Sequence, residues 1–299
     1  MSADPAALFG FDGGFLRRLE RVALVSRRPL PGPAAGPRRS PRRGASVEFA
    51  DFRDYAPGDD FRRIDWKAFG RLDRLFLRLY SAEEMTTLTL LLDCSTSMSF
   101  GEPAKSLFAA RLAAVFSYVA LCNYDLVAVA GWGQTLERYH PPRGGKAAIT
   151  EVWNSIAALT LTPSAGTDFR SLQRFHHLRR GPGIAIVISD VLSDSDWRCG
   201  LRALRGAGQE VTLIQVLAPE ELNPPIRGDW KLRDAESGRE VEITVSPRLL
   251  KRYGDELAAH TAAVREYCRR QGIAFLQLRS DAPIQEAVLA DLHAGGLLG

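Results

Sequence analysis

Asp93-Cys94-Ser95-Thr96-Ser97 sets one carboxylate and two hydroxyls at alternate positions, directly after the apolar run Leu88–Leu92. A loop leaving a buried strand with that spacing gathers three oxygens near one point. Hard divalent cations take such all-oxygen sites and keep several waters. Hydroxyls bring no charge, so the ion stays electron-poor and accepts an anionic ligand from outside. Gly166-Thr167-Asp168 and Ser189-Asp190 offer a further hydroxyl and a further carboxylate. The candidate metal ligands are Asp93, Ser95, Ser97, Thr167 and Asp190, with Mg²⁺ as the expected ion and Mn²⁺ or Ca²⁺ as substitutes. Taken alone, the first loop has a simpler account as a turn or helix cap. Joined by Thr167 and Asp190 in chain order, it points to an ion.

Other chemistry finds less support. Cys94, Cys122, Cys199 and Cys268 lie far apart and form no metal or disulfide pattern, so they read as free thiols. His176 and His177 are adjacent, project in different directions and make a poor chelating pair. Gly131-Trp132-Gly133 lacks the third glycine of a dinucleotide fingerprint, since Leu136 stands there. Gly144-Gly145-Lys146 lacks both the distal glycine and the following Ser or Thr of a phosphate loop. The enzymatic alternative is a metal-dependent phosphatase of haloacid dehalogenase type, with Asp93 as nucleophile. That chemistry needs a second carboxylate two positions on, where this chain has Ser95. An ion-free assembly role is the other alternative.

The elements that must hold these residues alternate in kind. Leu88–Leu92 and Gly183–Ser189 read as strands buried on both faces, each ending on a carboxylate. Helices are expected over Pro103–Cys122, Ile149–Leu159, Asp168–Arg179, Ser195–Ala207 and Ile284–His293, with strands at Leu126–Ala130, Val211–Leu217 and Ala274–Leu278. Trp230–Asp234 and Glu240–Val245 flank Glu236-Ser237-Gly238 and read as a β-hairpin inserted near 229–245. Ser246-Pro247 opens a long helix whose apolar stripe is Leu250, Tyr253, Leu257, Val264 and Cys268. Alternating strands and helices imply a mostly parallel sheet covered on both faces. Ligands gather at the carboxyl ends of such strands, where Asp93 and Asp190 both fall.

Upstream, three regions are expected: an N-terminal arm over 1–45, a strand-containing region over 46–85 and the α/β domain over 86–299. Arg17 to Arg43 holds nine arginines and one acid, Glu20, with five prolines interspersed. Such a stretch cannot fold alone. It lacks the aromatic residues a stacking platform would use, which argues against nucleic acid as a partner. The 46–85 region carries short strands at Val47–Phe52 and Leu75–Tyr80, and Asp65-Trp66 between them is unassigned. No apolar run reaches the roughly 18 to 20 residues of a membrane span. The start resembles no secretory signal, so a cytoplasmic location without a membrane span is the expectation.

The D-x-S-x-S loop, the later Gly-Thr and the later Ser-Asp resemble the metal-ion-dependent adhesion site of von Willebrand factor A domains. The block VEFADFRDYAPGDDFRRIDWKAFGRLDRLFLRLY resembles the signature that precedes such a domain in domain-of-unknown-function family 58. The resemblance covers roughly Gly44 to the C-terminus. It implies a Rossmann-like von Willebrand factor A fold with a mostly parallel central sheet and helices on both faces, extended by the hairpin and the N-terminal strands. It implies a non-enzymatic adaptor whose metal binds an Asp or Glu of a protein partner. Members of this family are typically encoded beside MoxR-type AAA+ ATPases, which makes such an ATPase the implied partner in protein maturation or complex assembly.

Overall fold

The computed structural model describes residues 9–24, 48–56, 59, 61, 64–72, 74–81, 86–160, 164, 166–178, 181–235 and 238–288. The chain forms two compact units, one of Met1–Arg28 with Thr86–Gly299 and one of Pro29–Met85.

In the smaller unit, β1 (Glu48–Asp54) and β2 (Phe76–Ser81) pair antiparallel, with a register shift between Phe49 and Asp51. The stretch left unassigned by sequence is a short helix, Trp66–Leu72, and the buried Asp65 accepts the amide of Ala68 at its start (3.2 Å). Trp66 and Leu72 stay exposed on it.

The larger unit is a six-stranded sheet. Its strands are β3 (Thr87–Asp93), β4 (Leu126–Trp132), β5 (Leu136–Gly144), β6 (Gly183–Ser189), β7 (Gln209–Leu217) and β10 (Ala274–Arg279), in the spatial order β10-β7-β6-β3-β4-β5. All neighbours are parallel except β4 and β5. β8 (Gly228–Arg233) and β9 (Glu240–Val245) form the expected hairpin apart from this sheet. From β3 the chain runs outward to β4 and β5, then returns to lay β6 on the other side of β3. The strand order therefore reverses between β3 and β6, and the crevice at a reversal is where open α/β sheets bind ligands. β5 escaped the sequence reading because Pro141 and Pro142 interrupt it; an edge strand with shifted register tolerates both.

Alternation along β3 splits the core. Leu88, Leu90 and Leu92 join one cluster with Phe116, Trp153 and Phe15, while Leu91 joins another with Trp132, Phe169, Leu201 and Val264. In chain order the helices are α1 (Gly13–Leu19), α2 (Trp66–Leu72), α3 (Lys105–Cys122), α4 (Ile149–Thr160), α5 (Phe175–Leu178), α6 (Trp197–Gly206), α7 (Pro219–Leu222), α8 (Pro247–Gln271) and α9 (Ile284–Glu286). The segment expected to be helical over Asp168–Arg179 is a 3₁₀ turn, Phe169–Arg174, followed by α5. Beyond residue 288 the last expected helix lies outside the described residues.

Three features differ from or go beyond the sequence reading. First, within the 1–45 segment Phe9, Phe11, Phe15, Leu19 and Leu24 are buried, and Phe9 and Phe11 each meet Trp153 at 5.6 Å between ring centroids. Those apolar side chains supply the area that the arginine content conceals, and residues 25–45 lie outside the described ones. Second, α3 does reach the length and apolarity of a membrane span, with 18 residues and a mean hydropathy of 1.4. Its composition follows from being the core helix of this sheet, since 78% of it is buried, although Leu107 points outward. Third, the buried residues of α8 are Thr261, Val264 and Cys268, while the stripe residues Leu250, Tyr253 and Leu257 on its first half are not buried.

Candidate metal centre

Asp93 closes β3 and is saturated by hydrogen bonds. Its Oδ1 accepts the Ser95 amide (2.9 Å) and the Thr167 hydroxyl (2.9 Å), and its Oδ2 accepts the Ser189 hydroxyl (2.6 Å). Ser95 and Ser97 face one another with their Oγ atoms 2.9 Å apart. Ser95 occupies the N-cap of the 3₁₀ turn Thr96–Ser99, yet its side chain makes no capping bond. A capping turn thus accounts for one oxygen of Asp93 and leaves the two serine hydroxyls unexplained.

A strap holds the loop in place. Ser164 accepts from the Thr96 amide (3.0 Å) and hydroxyl (2.9 Å), and donates its amide to Cys94 (2.6 Å). Cys94 in turn donates its amide to Trp132 at the end of β4 (2.8 Å). Gly131 and Gly133, rejected as a nucleotide fingerprint, serve this close packing. A Cβ on Gly133 would stand 2.4 Å from Ser164 Oγ and 3.0 Å from the Gly166 carbonyl. Both the strap and the segment leading to Thr167 would have to move. Gly133→Ala is expected to keep the fold, at a cost of about 1–3 kcal/mol of stability, and to weaken ion binding by about tenfold, since each 1.4 kcal/mol is tenfold. Ion titration beside thermal melting checks this; unchanged ion affinity would contradict it.

At the end of β6, Asp190 is also fully engaged. Its Oδ1 accepts the Leu192 amide (3.1 Å), its Oδ2 accepts Lys105 Nζ (2.7 Å), and its backbone carbonyl accepts Gln215 Nε2 (2.9 Å). Val191 follows with φ +57°, a strained conformation for a β-branched residue. It is held there by its amide on Ser189 Oγ (3.0 Å) and by its carbonyl against His260 Nε2 of α8 (2.7 Å). Lys105 has no exposed side-chain surface and also pairs with Glu221 of α7.

Burial pushes the Asp93 carboxyl up to about 6, and the nearby Asp190 charge adds to that; bonds from Ser189 and Ser95 pull the other way. Burial also raises Glu221, against the Lys105 ammonium, which lowers it. Burial alone pushes the Cys268 thiol up to about 12, and all four cysteines are free. Among the described residues no group of three His, Cys, Asp or Glu side chains forms a metal cage. Any ion here would rest on hydroxyls.

Of the five residues expected from sequence, Asp93, Ser95, Ser97 and Thr167 lie in one hydrogen-bonded group. Asp190 is near enough to raise Asp93 but points its carboxylate at Lys105. The sequence reading missed Lys105 and Glu221. A lysine at the first turn of a helix reads as solvated, and nothing local marks it as an exception.

Residues 51–263 match the family described as protein of unknown function DUF58. The chain belongs to the DUF58 family. Uncharacterized proteins of Mycobacterium tuberculosis and Mycobacterium bovis are 31% identical to this DUF58 chain over 268 residues, covering 88% of it and 84% of each of them. A crystal structure of the conserved hypothetical protein BatB from Bacteroides thetaiotaomicron superposes with a TM-score of 0.44 at 16% identity, over 70% of the DUF58 chain and 98% of BatB.

Proposed function

We propose that the larger unit is a von Willebrand factor A-like domain that binds a protein partner through a divalent ion, without catalysis. The observation that carries this reading is the pair of serine hydroxyls 2.9 Å apart beside an Asp93–Thr167 pair at the same separation. Adjacent ligands around an octahedral Mg²⁺ with bonds of 2.0–2.1 Å stand about 2.9 Å from one another. The donor set is all oxygen and fits a hard cation. Ser95, Ser97 and Thr167 would hold the ion through hydroxyls, with Asp93 and Asp190 supplying charge directly or through water. The ion would supply an electrophilic point for an Asp or Glu of the partner. Mn²⁺ fits the same donors, and Ca²⁺ would need a looser shell.

The partner of choice is a MoxR-type AAA+ ATPase, on the family resemblance, with this chain as its adaptor in protein maturation or complex assembly. The phosphatase alternative loses ground because position 95, where it needs a second carboxylate, is a hydroxyl bonded to Ser97. Complex formation between the full chain and a MoxR-type ATPase of the same organism tests the reading. Binding is expected with Mg²⁺ and lost with chelator or in Asp93→Asn. Equal binding with and without chelator would sink it.

A further inference from the structure

We propose that Lys105 is a built-in competitor of the ion, resting on the ion-site reading above, and that Glu221 is its alternative anchor. Lys105 Nζ stands between Asp190 Oδ2 (2.7 Å) and Glu221 Oε1, with no exposed side-chain surface. A buried ammonium is retained only where carboxylates or other acceptors satisfy it. Either carboxylate alone balances the single lysine charge, and each takes one of its three N–H donors.

Both anchors are fixed independently of the lysine. Glu221 Oε2 accepts the Ala218 amide (2.8 Å), and the Glu221 carbonyl accepts the Tyr253 hydroxyl (2.8 Å). Asp190 is held through Oδ1 by the Leu192 amide (3.1 Å). Lys105 can therefore give up Asp190 and stay paired with Glu221, leaving no carboxylate stranded. Without the ion, the ammonium offsets the repulsion between Asp93 and Asp190. With the ion, Asp190 turns its charge to the metal and the lysine rests on Glu221. The site is thereby kept assembled when empty, at the expense of ion affinity.

Opposite effects follow at the two positions. Lys105→Met removes the competitor and should tighten Mg²⁺ or Mn²⁺ binding by about tenfold or more. Glu221→Gln leaves the whole ammonium on Asp190 and should weaken binding by a similar factor. A bare field effect would give these signs too, so the combination decides: in the Lys105→Met background, Glu221→Gln should lose its effect.

Calorimetric titration of the metal alone into the full chain, chelator-stripped, reads all of this, with Asp93→Asn as the blank. Weaker or unchanged binding in Lys105→Met, or a Glu221 effect that persists without the lysine, overturns the competitor role while the ion site stands. If Lys105→Met does not fold, Lys105→Gln, which keeps a hydrogen-bonding head without the charge, takes its place in the same combination, and weaker or unchanged binding, or a Glu221→Gln effect that persists beside it, overturns the role. Absence of binding in wild type and all variants removes the ion site itself, and the competitor with it.

Discussion

Asp93→Asn is expected to abolish divalent-ion binding and, in the absence of ions, to make the protein more stable at neutral pH. The carboxyl is buried, and its pKa is raised from the usual carboxylate value to about 6. The sign is that of a raised acid: its contribution is present below the unfolded value near 4 and is lost as pH rises through about 6. At neutral pH the empty site therefore bears an ionised group that the fold does not favour. A shift of about two pH units corresponds to about 3 kcal/mol. Asparagine keeps an acceptor for Ser95 and removes the charge. We expect a gain of about 1–3 kcal/mol near pH 8, or several degrees in Tm, shrinking to nothing near pH 4. Melting curves in chelator across that range check it, and a variant less stable than wild type at the upper end would contradict it. Ion affinity in wild type should fall below pH 6, because the proton and the metal compete for one carboxylate.

The second large effect is the loss of Lys105. With Lys105→Met, Asp190 and Glu221 lose their shared cation in a buried setting, where their exposures are 3% and 13%. Breaking a buried ion pair from one side costs about 3–5 kcal/mol. Burial already raises Glu221 with the lysine present, and removing the lysine raises it further. Stability that depends on raised carboxyls is lost as pH rises, so the deficit should be larger near pH 8 than near pH 5. Saturating Mg²⁺ stabilises both proteins, so it should narrow the deficit only by their difference in affinity, about 1.4 kcal/mol for tenfold tighter binding. Denaturant unfolding at both pH values, with and without the ion, measures this. A deficit that neither pH nor Mg²⁺ alters would show that Lys105 only fills space.

The sheet was legible because its central strands are continuous apolar runs with abrupt polar ends. Leu88–Leu92 and Gly183–Ser189 could be placed to within a residue or two, and Asp93 and Asp190 stand at their ends; Ser95, Ser97 and Thr167 came from residue spacing and the family resemblance. What escaped depended on tertiary packing. β5 is a proline-bearing edge that satisfies its pairing against β4 only. The helix α1 is short, and Phe9 and Phe11 just before it acquire meaning only against Trp153. Lys105 is the sharpest case, because its role comes from Glu221, which is 116 residues away.

The most direct test of the ion site is calorimetry of Mg²⁺ and Mn²⁺ into chelator-stripped protein near pH 8, well above the raised Asp93 carboxyl at about 6. Wild type and Asp93→Asn are titrated side by side. The site described here predicts a saturable single-site isotherm in wild type and none in the variant, which still melts cooperatively. Absence of saturable heat in wild type, or the same isotherm in both proteins, would contradict it.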